Sequence, residues 1–234
     1  MEKLEQLESP GDAGSAPDAP ELPAFDAKDI ARHHADAHWR LVRNGSVAAR
    51  CSLWWTGVPV LPGETIGCVG HFAALDEPSS VRLLDHACKE LAGRGCTLAI
   101  GPMDGNTWRR YRFLTHRGTE PPFFLEPDNP DEWPGYFLAA GFNPMARYFS
   151  ALCADLACTD PRLQRVSPRM DHAGVTTRTI DPGRLEGELR AIHALCLISF
   201  RDNYLYTPLP EEEFIAQYRP ILPLVRPELI QKAL

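Results

Sequence analysis

The sequence predicts an α/β fold of the α+β kind, a mixed and mostly antiparallel central sheet flanked by helices, and three stretches carry that prediction. The first runs from Glu64 to Gly101. Its opening part, Glu64 to Leu75, is a short apolar run without helical period, as expected of a buried strand. Val81, Leu84, Cys88 and Leu91 then recur at helical spacing, with Pro78 pre-set for a first turn and Asp76 or Glu77 as caps. Gly93 or Gly95 ends that helix. Thr97 to Ile100 is a second apolar strand, so the unit is strand–helix–strand, a crossover within one sheet. The second stretch is Trp39 to Trp55, two alternating runs on either side of Asn44-Gly45, a strong hairpin turn. The third is Arg147 to Leu156, where Tyr148, Ser150 and Leu152 alternate with Phe149, Ala151 and Cys153 as in a last strand.

Between these stretches the chain reads as follows. Residues 1–24 carry Ser, Pro, Gly, Asp, Ala and Glu with little to bury, and are expected to be a disordered tail. Residues 26–37 read as a short helix capped by Asp26. A helix would place His34 and His38 at i, i+4, but no third ligand stands at a typical spacing, so His33, His34 and His38 read as solvated histidines. Pro59, Pro62 and Gly63 break the chain before the Glu64 strand. After Gly101, Pro102 to Trp108 is a turn-rich loop. Arg109, Arg110 and Arg112 read as a solvated face with snorkelling stems rather than a grip on phosphate or carboxylate. Residues 119–130 must be extended, since their prolines forbid a helix. Asp131 to Ala140 is a short helix closed by Gly141, and residues 157–172 are a polar linker.

A new section follows. Val175 to Ile180 is a β-branched strand, Asp181-Pro182 opens an amphipathic helix through Leu185, Leu189, Ile192, Leu195 and Phe200, and Glu211 to Tyr218 is a shorter helix. Pro227 opens a third helix, and no further strand is expected. The predicted organisation is a tail over 1–24, a principal domain over 25–156, a linker over 157–173 and a strand–helix–helix section over 174–234. Strand 175–180 either begins a separate unit or pairs into the principal sheet.

Composition narrows the function. The 234 residues are 44% hydrophobic and 24% charged, ordinary for a soluble globular protein, with ample length for a core. A net charge of -7 argues against broad binding of nucleic acid or anionic membrane, because neutralising phosphates takes clustered Lys and Arg. No apolar run approaches a spanning helix, and the N-terminus has no basic start before an apolar core. Seven cysteines without paired spacing, mostly inside apolar segments, read as reduced buried thiols of a cytoplasmic protein.

The order of elements over residues 39–156 resembles the GNAT N-acetyltransferase superfamily. The resemblance rests on the hairpin and on the central strand ending at Leu75. It also rests on the helix with Leu83-Leu84-Asp85 early and Ala92-Gly93-Arg94-Gly95-Cys96 at its end, the strand Thr97–Ile100 and the helix closing in Gly141-Phe142. Gly101-Pro102-Met103 with Pro121-Pro122-Phe123 and Asn129-Pro130 is similar to a bacterial GNAT-like subgroup, and residues 174–234 resemble the start of a second GNAT unit. The resemblance implies an acyl-CoA-dependent N-acyltransferase, with acetyl-CoA as cofactor and a small-molecule or protein amine as acceptor. It puts the pantetheine against Phe72, Ala73, Ala74 and Leu75 and the pyrophosphate on the helix start, with Ser79, Ser80 and Val81 as donors. It also calls for a base and for a tyrosine acid. His71 on the central strand is the candidate base, and Tyr136 and Tyr148 are the candidate acids.

The chain departs from the family at the phosphate loop. Leu75-Asp76-Glu77-Pro78-Ser79-Ser80 has no glycine, carries two acids that repel pyrophosphate, and loses one amide donor at Pro78. The position four before Gly141, usually tyrosine, is Phe137, with Tyr136 beside it. Two functional readings therefore stand: an acetyl-transferring enzyme, and a catalytically inactive GNAT-like module for binding or homodimer formation. Cys68 and Cys88 read as core residues rather than nucleophiles.

Overall fold

The computed structural model describes residues 2–7, 16–121, 126–155, 157 and 159–233. Its elements in chain order are β1 (Glu2–Gln6), α1 (Lys28–Arg32), β2 (Ala37–Arg43), β3 (Ser46–Trp54), β4 (Ile66–Ala74), α2 (Glu77–Gly93), β5 (Leu98–Ile100) and α3 (Trp133–Ala139). Then come α4 (Leu163–His172), β6 (Thr177–Thr179), α5 (Leu185–Ser199), α6 (Glu211–Tyr218) and β7 (Gln231–Ala233). They fall into two compact units, residues 1–144 with 202–207, and residues 145–201 with 208–234. The fold class is α+β, as the sequence predicts. No helix among the described residues is long and apolar enough to cross a membrane.

The first unit is built on a five-stranded sheet in the order β1-β2-β3-β4-β5. The first four strands are antiparallel neighbours, and β5 lies parallel to β4 with Ile66 opposite Leu98 and Cys68 opposite Ile100. The hairpin turns where Asn44-Gly45 demands it, with φ of 53° and 87° at those two residues. Helix α2 makes the crossover. Asp76 caps it by accepting from Ser79 N at 2.9 Å, and Pro78 sits in its first turn.

Alternation along the strands sorts the two faces of this sheet. Leu41, Cys51, Leu53 and Val69 turn towards α2 and join Leu83, Leu84, Ala87 and Leu91 in one apolar cluster. Phe72, Phe113, Trp133, Phe137 and Phe142 extend the cluster as a chain of ring contacts, four of them with centroids about 5 Å apart. The opposite face carries His38, Arg40, Arg50 and Ser52, all buried.

The second unit is described by itself. Strands β6 and β7 form a two-stranded antiparallel sheet, Thr177 opposite Ala233. Helices α5 and α6 meet through His193, whose Nε2 lies 2.7 Å from Leu209 O and whose ring packs at a tilt of 47° against Phe214. Glu188 on α5 receives Arg178 at 2.7 Å and Lys232 at 2.8 Å, and these two cations hold its carboxyl well below the usual carboxylate range.

Several expectations are corrected. The tail expected over 1–24 contains β1, which pairs with β2 from Glu2 opposite Arg43 to Gln6 opposite Trp39. Ala16, Ala19 and Leu22 are buried, because small side chains suffice to pack a segment laid against a sheet. Residues 8–15 of that tail lie outside the described residues. The strand expected over 147–156 is not formed: Arg147–Asp155 have no regular structure and are exposed, with Leu156 outside the described residues. Alternation alone supplies no hydrogen-bonding neighbour. Helix α4 occupies most of the expected linker, and its Pro168 lies inside the helix. Strand β6 pairs with β7 rather than with the principal sheet, and β7 is a strand where none was expected. The extended segment 119–130 is free of helix where described, and residues 122–125 lie outside the described residues.

Candidate functional site

The polar face of the first sheet holds a continuous chain of hydrogen bonds. His38 and Ser52 are cross-strand partners on β2 and β3, which brings His38 Nδ1 to 2.7 Å from Ser52 Oγ. Ser52 Oγ is also 2.8 Å from His71 Nδ1, and His71 Nε2 is 2.8 Å from His33 Nδ1. His71 reaches this position because β4 bulges. Ser52 pairs with Gly70 but Arg50 pairs with Ala73, so His71 and Phe72 together oppose Cys51. The φ of His71 is 46°, in the left-handed region that few non-glycine residues adopt. Asp104 holds the bulge by accepting from His71 N at 2.6 Å. Gly70 permits that approach, since a Cβ there would lie 2.3 Å from Met103 O.

Burial keeps this chain uncharged. It lowers the His38 imidazole to about 3, helped by the positive charges of Arg50 and Arg40. It lowers His33 to about 4, with Arg109, Arg32 and His34 adding to the effect, and His71 to about 2, with His33, His38, Arg109 and Arg110 adding. Burial raises the Asp104 carboxyl to about 6, against the pull of the His71 amide and of Arg110 and Arg109.

Counting protons limits the chain to a few polarities. Three neutral imidazoles hold one N–H each, and the hydroxyl can donate once and accept twice, so three arrangements make all three bonds. In one, His33 donates to His71, His71 to Ser52 and Ser52 to His38, which leaves N–H on His38 Nε2. In the second every donor reverses, and His33 Nε2 keeps the N–H; in the third, His71 and His38 both donate to Ser52, whose own proton points away from the two rings. Taking up a proton at one terminal Nε2 and releasing one at the other, while each bridging proton moves over by one bond, exchanges the first two forms.

A cavity of about 240 Å³ adjoins the His38 end, bounded by Asp18, His38, Arg40, Arg50 and the apolar Leu7 and Phe25 among others. Arg40 and Arg50 face each other across β2 and β3, with side chains only 4% exposed. Like charges placed directly opposite are destabilising, and carboxylates from the N-terminal segment offset them. Arg50 Nη1 donates to Asp18 at 2.7 Å, and Arg40 lies 3.5 Å from Glu5. Arg40 also donates to Ala16 O at 3.2 Å, and Arg50 to Pro23 O. Phe25 stacks on the His38 ring with a 6° angle between planes, under the Arg50 guanidinium.

The residues expected in a site are placed as follows. His71 is in the chain just described, with both ring nitrogens engaged by protein groups. Tyr136 is half-buried on α3, where burial and the carboxylates of Glu132, Asp76 and Glu77 push its phenol up. Tyr148 belongs to the second unit and is exposed. Phe72, Ala73 and Ala74 are buried in β4. Ala74 O accepts from Trp133 Nε1 at 3.2 Å, and Leu75 N donates to Ala48 O at 2.9 Å. On the same strand Val69 O accepts from Met103 N at 2.8 Å. Ser79 and Ser80 are buried and Val81 is half-buried. Asp76 Oδ1 already takes the Ser79 amide, while Arg43 binds Asp76 Oδ2 at 2.7 Å and Ser79 Oγ at 3.2 Å. A pyrophosphate fits this helix start poorly, because a carboxylate of the chain itself holds the amide and the nearby guanidinium.

Two expectations about other residues change. His38 is buried and His33 half-buried, rather than solvated, because the segment containing residues 16–27 covers this face. Arg109 turns inward and donates to His33 O at 3.2 Å and Asp104 O at 3.1 Å. Burial pushes the Cys68 thiol up to about 12, which leaves it inert at neutral pH. Among the described residues no group of three or more His, Cys, Asp and Glu is arranged to hold a metal ion.

Ser52, Arg40, Arg50 and Asp104 were not singled out in the sequence. The signal for the first three was alternation: His38 and Arg40, then Arg50 and Ser52, stand two apart on adjoining strands. Compared with known proteins, the chain matches no family model, no curated protein and no solved structure.

Proposed function

We propose that the chain is a GNAT-like binding module of the cytoplasm rather than a working acetyltransferase. One observation carries this reading: the start of α2, where the family resemblance would put a pyrophosphate, is filled by Asp76, Ser79 and Arg43 bonding to one another. The edge of β4 argues the same way, because Val69 O, the His71 amide and Ala74 O are taken by Met103, Asp104 and Trp133. Six described cysteines are free thiols, as suits a reducing compartment.

Calorimetric titration with acetyl-CoA tests the reading. The expected result is no saturable heat at millimolar ligand. Micromolar binding, roughly -8 kcal/mol, would overturn it. A second reading, an acyl-CoA-dependent N-acyltransferase acting on an amine with His71 as base, is favoured by the hydrogen-bonded chain at the β4 bulge. Turnover of any amine with acetyl-CoA, lost in His71→Gln, would establish that reading instead.

A further inference from the structure

An aromatic ring on a thinly attached loop covers two members of the histidine chain. Phe25 lies flat on the His38 imidazole, with ring centroids 5.2 Å apart and 6° between the planes, and leans on His71 with centroids 5.1 Å apart. The Arg50 guanidinium lies over the same ring at 5.1 Å. The loop that carries Phe25, residues 20–27, contains no strand or helix. It is pinned on both sides. Before it, Ala19 N donates to Val47 O at 3.1 Å and Asp18 binds Arg50 at 2.7 Å. After it, His33 O accepts from Trp54 Nε1 at 2.7 Å. Between the pins, Leu22 is the one fully buried residue, and Arg50 donates to Pro23 O. A segment with so little burial belongs to the low end of local stability.

We propose that residues 20–27 are an acid-opened lid: when His38 and His71 take up protons, Phe25 swings off their rings while the sheet stays folded. With the lid closed, burial above all resists the charge and holds His38 at about 3 and His71 at about 2. Neighbouring cations add to it, Arg50 on β3 and Arg40 on β2 at His38, and Arg109 and Arg110 from the loop after β5 at His71. Arg32 and His34 bear in the same way on His33, the next member of the chain. The acids on these elements are already engaged. Glu5 pairs with Arg40, Asp18 with Arg50 and Asp29 with Arg32, while Asp26 accepts from Lys28 N at 2.9 Å. Asp104, raised by burial to about 6, takes up a proton itself as the pH falls and so supplies no lasting counter-charge. With the lid open, one face of each ring meets water and the ordinary value of 6.5 returns. Two protons bound by the open form alone raise its population about thirtyfold between pH 6.5 and 5.5. The fold thereby controls when the buried chain exchanges protons with water. This holds whether or not the start of α2 takes acetyl-CoA.

The test is an NMR titration of the full chain from about pH 7.5 to about pH 4. It follows the rings of Phe25, His38 and His71 and the methyl groups of Leu41, Leu53, Leu83 and Leu84, which are buried on the α2 side. The Phe25 ring is expected to lose the shift imposed by the stacked imidazole as both histidines are protonated, at one midpoint between about 4 and 6.5. The four leucines should keep their folded positions through that midpoint. Phe25→Ala removes the cover and should move the midpoint up towards 6.5 with the leucine signals unmoved. Loss of the Phe25 and leucine signals at one pH would mean that the whole unit unfolds, and would overturn the proposal. Protonation of His38 with Phe25 still stacked, rings that stay neutral to pH 4, or an unchanged midpoint in Phe25→Ala would overturn it equally. Should Phe25→Ala not fold, the wild-type titration decides by itself.

Discussion

The principal sheet has two faces made from the same strands, and they are buried in different ways. On the α2 side, Leu41, Leu53, Val69, Leu83 and Leu84 meet through apolar contact. On the other side, His38, Arg40, Arg50 and Ser52 are equally inaccessible, yet each depends on a named partner: Ser52 for His38, Glu5 for Arg40, Asp18 for Arg50, His71 for Ser52. The first face is stabilised by area removed from water, with no titrating group among those five side chains. The second is stabilised by specific bonds, whose loss leaves buried groups without partners. A face of the second kind costs stability to build, and such faces are where binding and proton movement are found.

The largest blow to the contrast should come from Leu84→Ala, fully buried on the apolar face. It should cost about 2–5 kcal/mol in urea denaturation, by the same amount at pH 7.5 and pH 5.5. The polar face should respond to acid instead. Each of its histidines has an ordinary pKa of 6.5 in the unfolded chain and a lower one when folded, to about 4 for His33 and about 3 for His38. Their contribution is therefore complete above about pH 6.5 and is lost as the pH falls towards those values, because the unfolded chain takes up protons that the folded chain refuses. Asp104 works in the opposite sense. Raised from 3.8 to about 6, it favours the folded state at low pH and loses that contribution as pH rises through about 6. Three histidines outweigh one carboxyl, so stability should fall by about 2 kcal/mol between pH 6.5 and 5.5, seen as a drop in melting temperature. A flat profile would place these histidines in water.

Ser52→Ala sharpens the comparison further. It removes the one hydroxyl between His38 and His71, should cost about 1 kcal/mol at pH 7.5, and should uncouple the NMR signals of the two rings. At the bottom of the scale, Lys89→Ala removes an exposed pair with Asp85 at 2.6 Å on α2. Less than about 0.5 kcal/mol is expected, and a larger loss by chemical denaturation would mean that surface charge matters more here than either face.

Much of this arrangement is written locally in the chain. Asn44-Gly45 sets the hairpin, the Glu64–Ile100 pattern sets strand, helix and strand, and Pro210 with Glu211–Tyr218 sets α6. These are signals of period and turn chemistry that do not depend on distant partners. The parts that were not legible depend on partners far along the chain. Glu2–Gln6 alternates weakly and becomes a strand only because β2 offers an edge, while the better alternation of Arg147–Asp155 finds none. Ala16, Ala19 and Leu22 are too small and too scattered among prolines to announce a buried segment. The site suffered most. A histidine at 38 and a serine at 52 meet through a register that a bulge shifts between Leu41 and Val42, and His71 joins them through a second bulge, neither of which leaves a mark in composition.

The facing arginines also bear on the order in which the molecule assembles. Strands β1 to β4 are neighbours both in sequence and in the sheet, so the antiparallel half requires no distant crossover and can form as the chain leaves the ribosome. Closing β2 against β3 in the native register brings Arg40 and Arg50 together, and a slip of one strand by one residue would turn its arginine towards the α2 side. Glu5 and Asp18 have already been synthesised by then. Hairpin closure and docking of the N-terminal segment thus become one cooperative step, and the acids that neutralise the arginines also proofread the strand alignment.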